Sequence, residues 1–151
     1  MSISSRLNEL GITLPTVAAP VASYVPAVRA GNLIFTSGQL PFADGALSAT
    51  GKVGADISPD DATAAAQQAA LNALAAAAAE AGGVDNLSRV VKVTVFVAAG
   101  PGFTGQPAVA NGASEVLGAI FGSGHARSAV SCPALPMDSP VEVEIVVEVA
   151  G

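Results

Sequence analysis

The chain has 151 residues, 51% of them hydrophobic and only 12% charged, with a net charge of −6. That length suits one domain with its own core, but the charged fraction lies well under the roughly 25% of ordinary soluble domains, so assembly is expected to cover some apolar surface. The six cations, Arg6, Arg29, Lys52, Arg89, Lys92 and Arg127, form no cluster that would track a phosphate backbone, and the single Cys132 excludes an internal disulfide.

At the N-terminus Ser4 or Ser5 is placed to cap a short helix with Leu7 and Leu10 on one face, stopped by Gly11. The stretch from Pro15 to Pro20 then reads as an extended lead-in. Residues 1–20 are thus set apart from a single domain over 21–151. The opening residues lack a long apolar run and a small-residue cleavage pattern, which predicts a cytoplasmic protein.

Residues 24–29 and 32–37 are strand candidates around Ala30-Gly31, a composition suited to a tight hairpin. Gly38 and Pro41 break the ladder, and the glycine-bearing stretch from Phe42 to Ile57 reads as a loop. Ser58-Pro59-Asp60-Asp61 supplies an N-cap, a proline for the first helical position and two acids for the positive end of the dipole. A helix is predicted from Pro59 to about Ala81, stopped by Gly82-Gly83. Gln67, Gln68, Asn72 and Glu80 interrupt its alanine run too often for a membrane span, and its small side chains suit close packing on a sheet.

Residues 89–98 alternate Val91, Val93, Val95 and Val97 with Lys92, Thr94 and Phe96, the pattern of a central strand. Val109, Ala113, Val116, Leu117, Ile120 and Phe121 mark the buried stripe of a second helix ending at Gly122. Strands at 126–132 and 141–149 follow; in the last, Val141, Val143, Ile145, Val147 and Val149 take one face and Glu142, Glu144 and Glu148 the other. The expected fold class is α+β: a mixed sheet with two helices on one face and an opposite face apolar enough to need a partner.

The chemistry concentrates in the last quarter. Arg127 lies in an apolar run, where a guanidinium is a fork for a planar carboxylate, and Glu142, on a strand that could face it, could orient water or move a proton. The alternative is a structural ion pair between Arg127 and a strand glutamate. Glu144 and Glu148 read as solvated edge charges. Tyr24 reads as a ligand contact or a half-buried core aromatic, Ser37 as a pocket residue or the start of the turn at Gly38, and Asn111 as a pocket residue or a helix-turn cap. His125, two residues before Arg127, shares its face if strand geometry holds, and Cys132 reads as a small core residue.

Taken in order, Tyr24, then Phe35-Thr36-Ser37-Gly38-Gln39-Leu40-Pro41, Val91-Lys92-Val93-Thr94-Val95-Phe96-Val97, Asn111 with Glu115, Ala126-Arg127-Ser128-Ala129-Val130, Leu135-Pro136 and Val141-Glu142-Val143-Glu144 resemble the YjgF/Rid family of reactive-intermediate deaminases. That family is also called the L-PSP endoribonucleases, and the resemblance covers nearly the whole chain after about Val21. It implies a fold like that of the trimeric, bacillus-type chorismate mutase, a homotrimer with sites between subunits, and hydrolysis of 2-imino or enamine acids to 2-oxoacids and ammonia with no metal or cofactor. On this resemblance Arg127 holds the substrate carboxylate and Glu142 positions or activates the water. Tyr24, Ser37 and Asn111 line the pocket, and Gly38 forms the turn beside it. Gly124-His125 and Ala129 stand where deaminases often carry an aromatic-proline pair and a cysteine, which marks a side branch. The alternatives are a trimeric small-carboxylate binding or regulatory module and an endoribonuclease, the latter disfavoured by the acidic charge.

Overall fold

The computed structural model describes residues 1–20 and 22–151. In chain order the elements are α1 (Ile3–Glu9), β1 (Ala27–Ala30), β2 (Leu33–Thr36), β3 (Phe42–Ala43), β4 (Ala46–Leu47) and α2 (Pro59–Ala81). After them come β5 (Leu87–Ala98), α3 (Gln106–Phe121), β6 (Ala126–Cys132) and β7 (Val141–Val149). Five strands form one mixed sheet in the order β1-β2-β7-β5-β6, with β5 parallel to β6 and antiparallel to β7. The α+β class and the helix-on-sheet layering hold.

The first hairpin pairs Ala30 with Leu33, so its loop is Gly31-Asn32 and not the expected Ala30-Gly31. Gly31 takes φ 63° at the first loop position, where a two-residue hairpin turn needs left-handed backbone that glycine supplies without strain. β1 starts only at Ala27, so Tyr24, expected at the start of the first strand, lies ahead of it. The β3–β4 hairpin was not anticipated: Asp44-Gly45 turns it, both residues left-handed at φ 53° and 83°.

Ser2, not Ser4 or Ser5, caps α1, its Oγ accepting from the Ser5 N–H at 3.1 Å. Ser4 is thereby free to donate its N–H and hydroxyl to the Asp85 carboxylate, at 2.7 and 2.6 Å. Leu7 is buried, but Leu10 forms the C-cap beyond the last helical residue and stays 37% exposed. Ile12, Leu14 and Val17 of the lead-in pack, partly buried, against the main core.

Ser58 caps α2 as expected, its Oγ accepting from the Asp61 N–H at 3.1 Å, and Gly82 ends the helix at φ 79°. The buried alanines of α2 let the helix lie close to the sheet on one side and to α3 on the other. Its buried Asn72 donates to the Leu40 and Phe42 carbonyls at 2.9 and 3.0 Å, satisfying backbone that follows β2.

The faces of β7 match the sequence pattern, with Val141, Val143, Ile145, Val147 and Val149 all buried. In β5 the expected alternation breaks: register shifts near Leu87–Arg89 and Val90–Lys92 turn Val90 into the core and leave Val91 only partly buried. Such bulges insert a residue and reset the parity of the strand. The face away from the helices exposes Val28, Phe35 and Val130 by 54%, 45% and 46%. Among the described residues no helix is long and apolar enough to cross a membrane.

The tightest helix contact is at Gly112 of α3, where an added Cβ would lie 2.0 Å from the Thr63 carbonyl oxygen of α2. Gly112→Ala is therefore expected to cost about 2 kcal/mol or more through overpacking against backbone. Gly118→Ala in the same helix meets open space and is expected to gain up to about 1 kcal/mol by restricting the unfolded chain. Urea unfolding midpoints of the two variants check the contrast.

Candidate functional site

The register pairs Arg127 with Val93, whose side chain is fully buried on the helix side, so Arg127 also faces that side. There α3 presents Asn111 and Ser114, three residues apart and hence neighbours on one helix face. Arg127 donates from Nη1 to Asn111 Oδ1 at 2.7 Å and to Ser114 Oγ at 3.3 Å. Both acceptors are neutral; they orient the guanidinium and leave its charge uncompensated. The described ion pairs are Arg6–Glu9, Lys52–Asp138 and Arg89–Glu148, and Arg127 belongs to none of them. Arg127 therefore forms no ion pair with a strand glutamate of its own chain.

His125 does share the Arg127 face: its Nε2 lies 2.9 Å from the same Ser114 Oγ. Its Nδ1 is buried with no hydrogen-bond partner. Burial first, and then the charge of Arg127, lower its pKa and favour the neutral ring. The sequence signal for Ser114 is its place about one helical turn after Asn111.

Glu142 pairs with Phe96 and projects from the opposite, open face of the sheet. The expectation that Glu142 faces Arg127 within the chain is therefore wrong on two counts. β5 stands between their strands, and their parities differ, since Arg127 aligns with Val93 and Glu142 with Phe96.

The carboxylate of Glu142 lies over Gly38, where an added Cβ would sit 2.7 Å from its Cδ. Burial, and secondarily the neighbouring Glu144 charge, push its pKa up. Beside it, the Ser37 hydroxyl donates to the Val25 carbonyl at 2.6 Å and the Ser37 N–H to the Pro26 carbonyl at 2.8 Å. These bonds fold the Tyr24 segment against Gly38, and both line a cavity of about 30 Å³ together with Ala18–Pro20 of the lead-in. Tyr24 is 44% exposed and so is not a core aromatic.

Asn111 sits inside α3, which starts at Gln106, and grips Arg127 in place of capping a turn. Cys132 is only partly buried, on the Glu142 side of edge strand β6, and not in the core; burial and then Glu142 raise its pKa, favouring the thiol. The predicted residues thus gather into two groups. Arg127 and Asn111 lie on the helix side at β6, while Tyr24, Ser37, Gly38 and Glu142 lie where the chain leaving β2 runs beside β7.

A mixed sheet backed by two helices is the fold of the YjgF-type proteins. The chain belongs to the endoribonuclease L-PSP family, also called YjgF/Rid, whose sequence profile matches residues 16–149. It is 42% identical to "Protein TCP17" of Trypanosoma cruzi over 149 residues, 97% of this chain and 93% of that protein. The solved structure of protein Atu1372 from Agrobacterium tumefaciens superposes with a TM-score of 0.89 at 41% identity, covering 99% of this chain and 94% of that one. The YjgF gene product of E. coli gives a TM-score of 0.62 at 30% identity over 89% of this chain and 98% of its own.

Because the Glu142 pKa is raised in the folded state, folding favours its protonated form. The associated stabilisation is full below the ordinary value of 4.5 and is lost as pH rises through the folded value. Glu142→Gln is expected to raise the melting temperature at about pH 7.5, with the gap closing below about pH 4. Thermal scans at the two pH values measure it.

Proposed function

We propose that the protein is a cytoplasmic deaminase that hydrolyses 2-imino acids and their enamine tautomers to 2-oxoacids and ammonia, in sites completed between copies of the chain in a homotrimer. The observation that carries this reading is Arg127, partly buried, aimed by two neutral acceptors and bonded to no carboxylate. Its Nε and Nη2 donors remain for a ligand carboxylate, the bidentate recognition for which a guanidinium is suited.

Glu142 supplies the complementary function. Water adds to the electrophilic iminium carbon, and its proton passes to the Glu142 carboxylate. The proton then returns to the nitrogen of the tetrahedral adduct; as its C–N bond breaks, the adduct's hydroxyl proton passes to the Glu142 carboxylate and on to the departing ammonia, leaving the 2-oxoacid and ammonium. Burial and the Glu144 charge raise its pKa, which makes the carboxylate a stronger base for that proton. Orientation, a charge clamp and one proton carrier are sufficient for so reactive a carbon, with no metal or cofactor required.

The trimer is supported by two features. Val28, Phe35 and Val130 are exposed apolar side chains on the open sheet face that a neighbouring subunit would cover. Arg127 and Glu142 lie on opposite sheet faces of one chain, so a site that uses both would need one of them from a second copy. Nucleic acid fits poorly, since Arg6, Lys52 and Arg89 are already engaged by Glu9, Asp138 and Glu148.

With imines generated by an amino-acid oxidase and trapped by semicarbazide, the protein is expected to compete with the trap. Arg127→Ala should lower kcat/KM by about 10- to 150-fold, the worth of a hydrogen-bonded charge contact. Trapping unaffected by the parent protein across several amino acids would reject the deaminase. Stabilisation by pyruvate without turnover would put the trimeric binding module in its place. Sedimentation should give three times the chain mass, and Val130→Glu should shift it to smaller species.

A further inference from the structure

His125 has no part in the reaction above, yet it contacts the same hydroxyl that Arg127 does. A proton on its buried, partnerless Nδ1 would be an orphaned donor, whereas a proton on Nε2 has Ser114 Oγ at 2.9 Å. Burial and the Arg127 charge also disfavour protonation of both nitrogens. Ser114 Oγ then accepts from His125 Nε2 and from Arg127 Nη1, filling both lone pairs. Without the histidine, a helical serine is free to swing its hydroxyl to the carbonyl one turn earlier. Asn111 alone would then hold Nη1.

We propose that His125 is a positioning residue for the carboxylate clamp: as the neutral Nε2–H tautomer it locks the Ser114 hydroxyl, and Ser114 together with Asn111 sets the plane of the Arg127 guanidinium. The proposal rests on the reading of Arg127 as the carboxylate holder. It assigns His125 and Ser114 to substrate affinity, with no contact to the reacting carbon.

Pyruvate binding, followed by calorimetry, separates the two readings. His125→Phe and Ser114→Ala should each raise the pyruvate Kd about three- to tenfold, the range of one neutral hydrogen bond. The double variant should lose little more than either alone, because both break one relay. His125→Gln, which restores an N–H donor near the Nε2 position, should bind within about twofold of the parent, on the same scale. As His125 is the chain's single histidine, nitrogen NMR of the imidazole reads its tautomer without ambiguity and should find the proton on Nε2.

A parent protein that binds pyruvate while His125→Phe binds it equally well would overturn the proposal, as would a Gln variant as weak as the Phe variant or an Nδ1–H tautomer. If the parent binds no pyruvate, the carboxylate reading of Arg127 fails and the proposal fails with it.

Discussion

The side-by-side registry of β6, β5 and β7 governs the rest of the molecule. Val93 of β5 aligns with Arg127 on one side and with Ile145 on the other, and Val93 and Ile145 are buried beneath the helices. Alternation then assigns every later side chain: Arg127 goes to the helix side, and Glu142 to the open side. A one-residue slip of β6 would exchange the two faces and turn the arginine away from α3. The shifts between Leu87 and Lys92 reset the parity of β5 before this registry begins, which is why Val90 and Val93 are both in the core.

Close packing of the helices depends on small residues. α2 is largely alanine on its buried sides, and α3 approaches it at Gly112 so closely that no side chain fits there. Asn111 and Ser114 flank this contact in sequence and reach Arg127 from it. A rigid helix crossing thus holds the two acceptors that aim the guanidinium, and precision at a site depends on such support. The scarcity of large side chains in α2 and the readiness of the arginine have a common origin.

The two groups of functional residues differ in electrostatic character. Around Arg127 the partners are neutral, so the cation is oriented but not quenched. Around Glu142, burial and the adjacent Glu144 favour the protonated acid. One group suits an anion and the other a mobile proton.

Local patterns in the sequence determined the helices and most strand positions. Ser58-Pro59 and Gly82 bound α2 through capping chemistry, the valines of β7 declare its buried face by period two, and Arg127 stands out as an arginine in an apolar strand. Asp44-Gly45 is an equally local turn signal for the β3–β4 hairpin. Tertiary structure alone decided that β5 separates the strands of Arg127 and Glu142, that Ser114 joins His125 to Arg127, and that Glu142 rests on Gly38. The physical reason is range: capping and periodicity act within a turn or two of chain, whereas strand order and registry arise from hydrogen bonds between segments tens of residues apart, which no local pattern encodes.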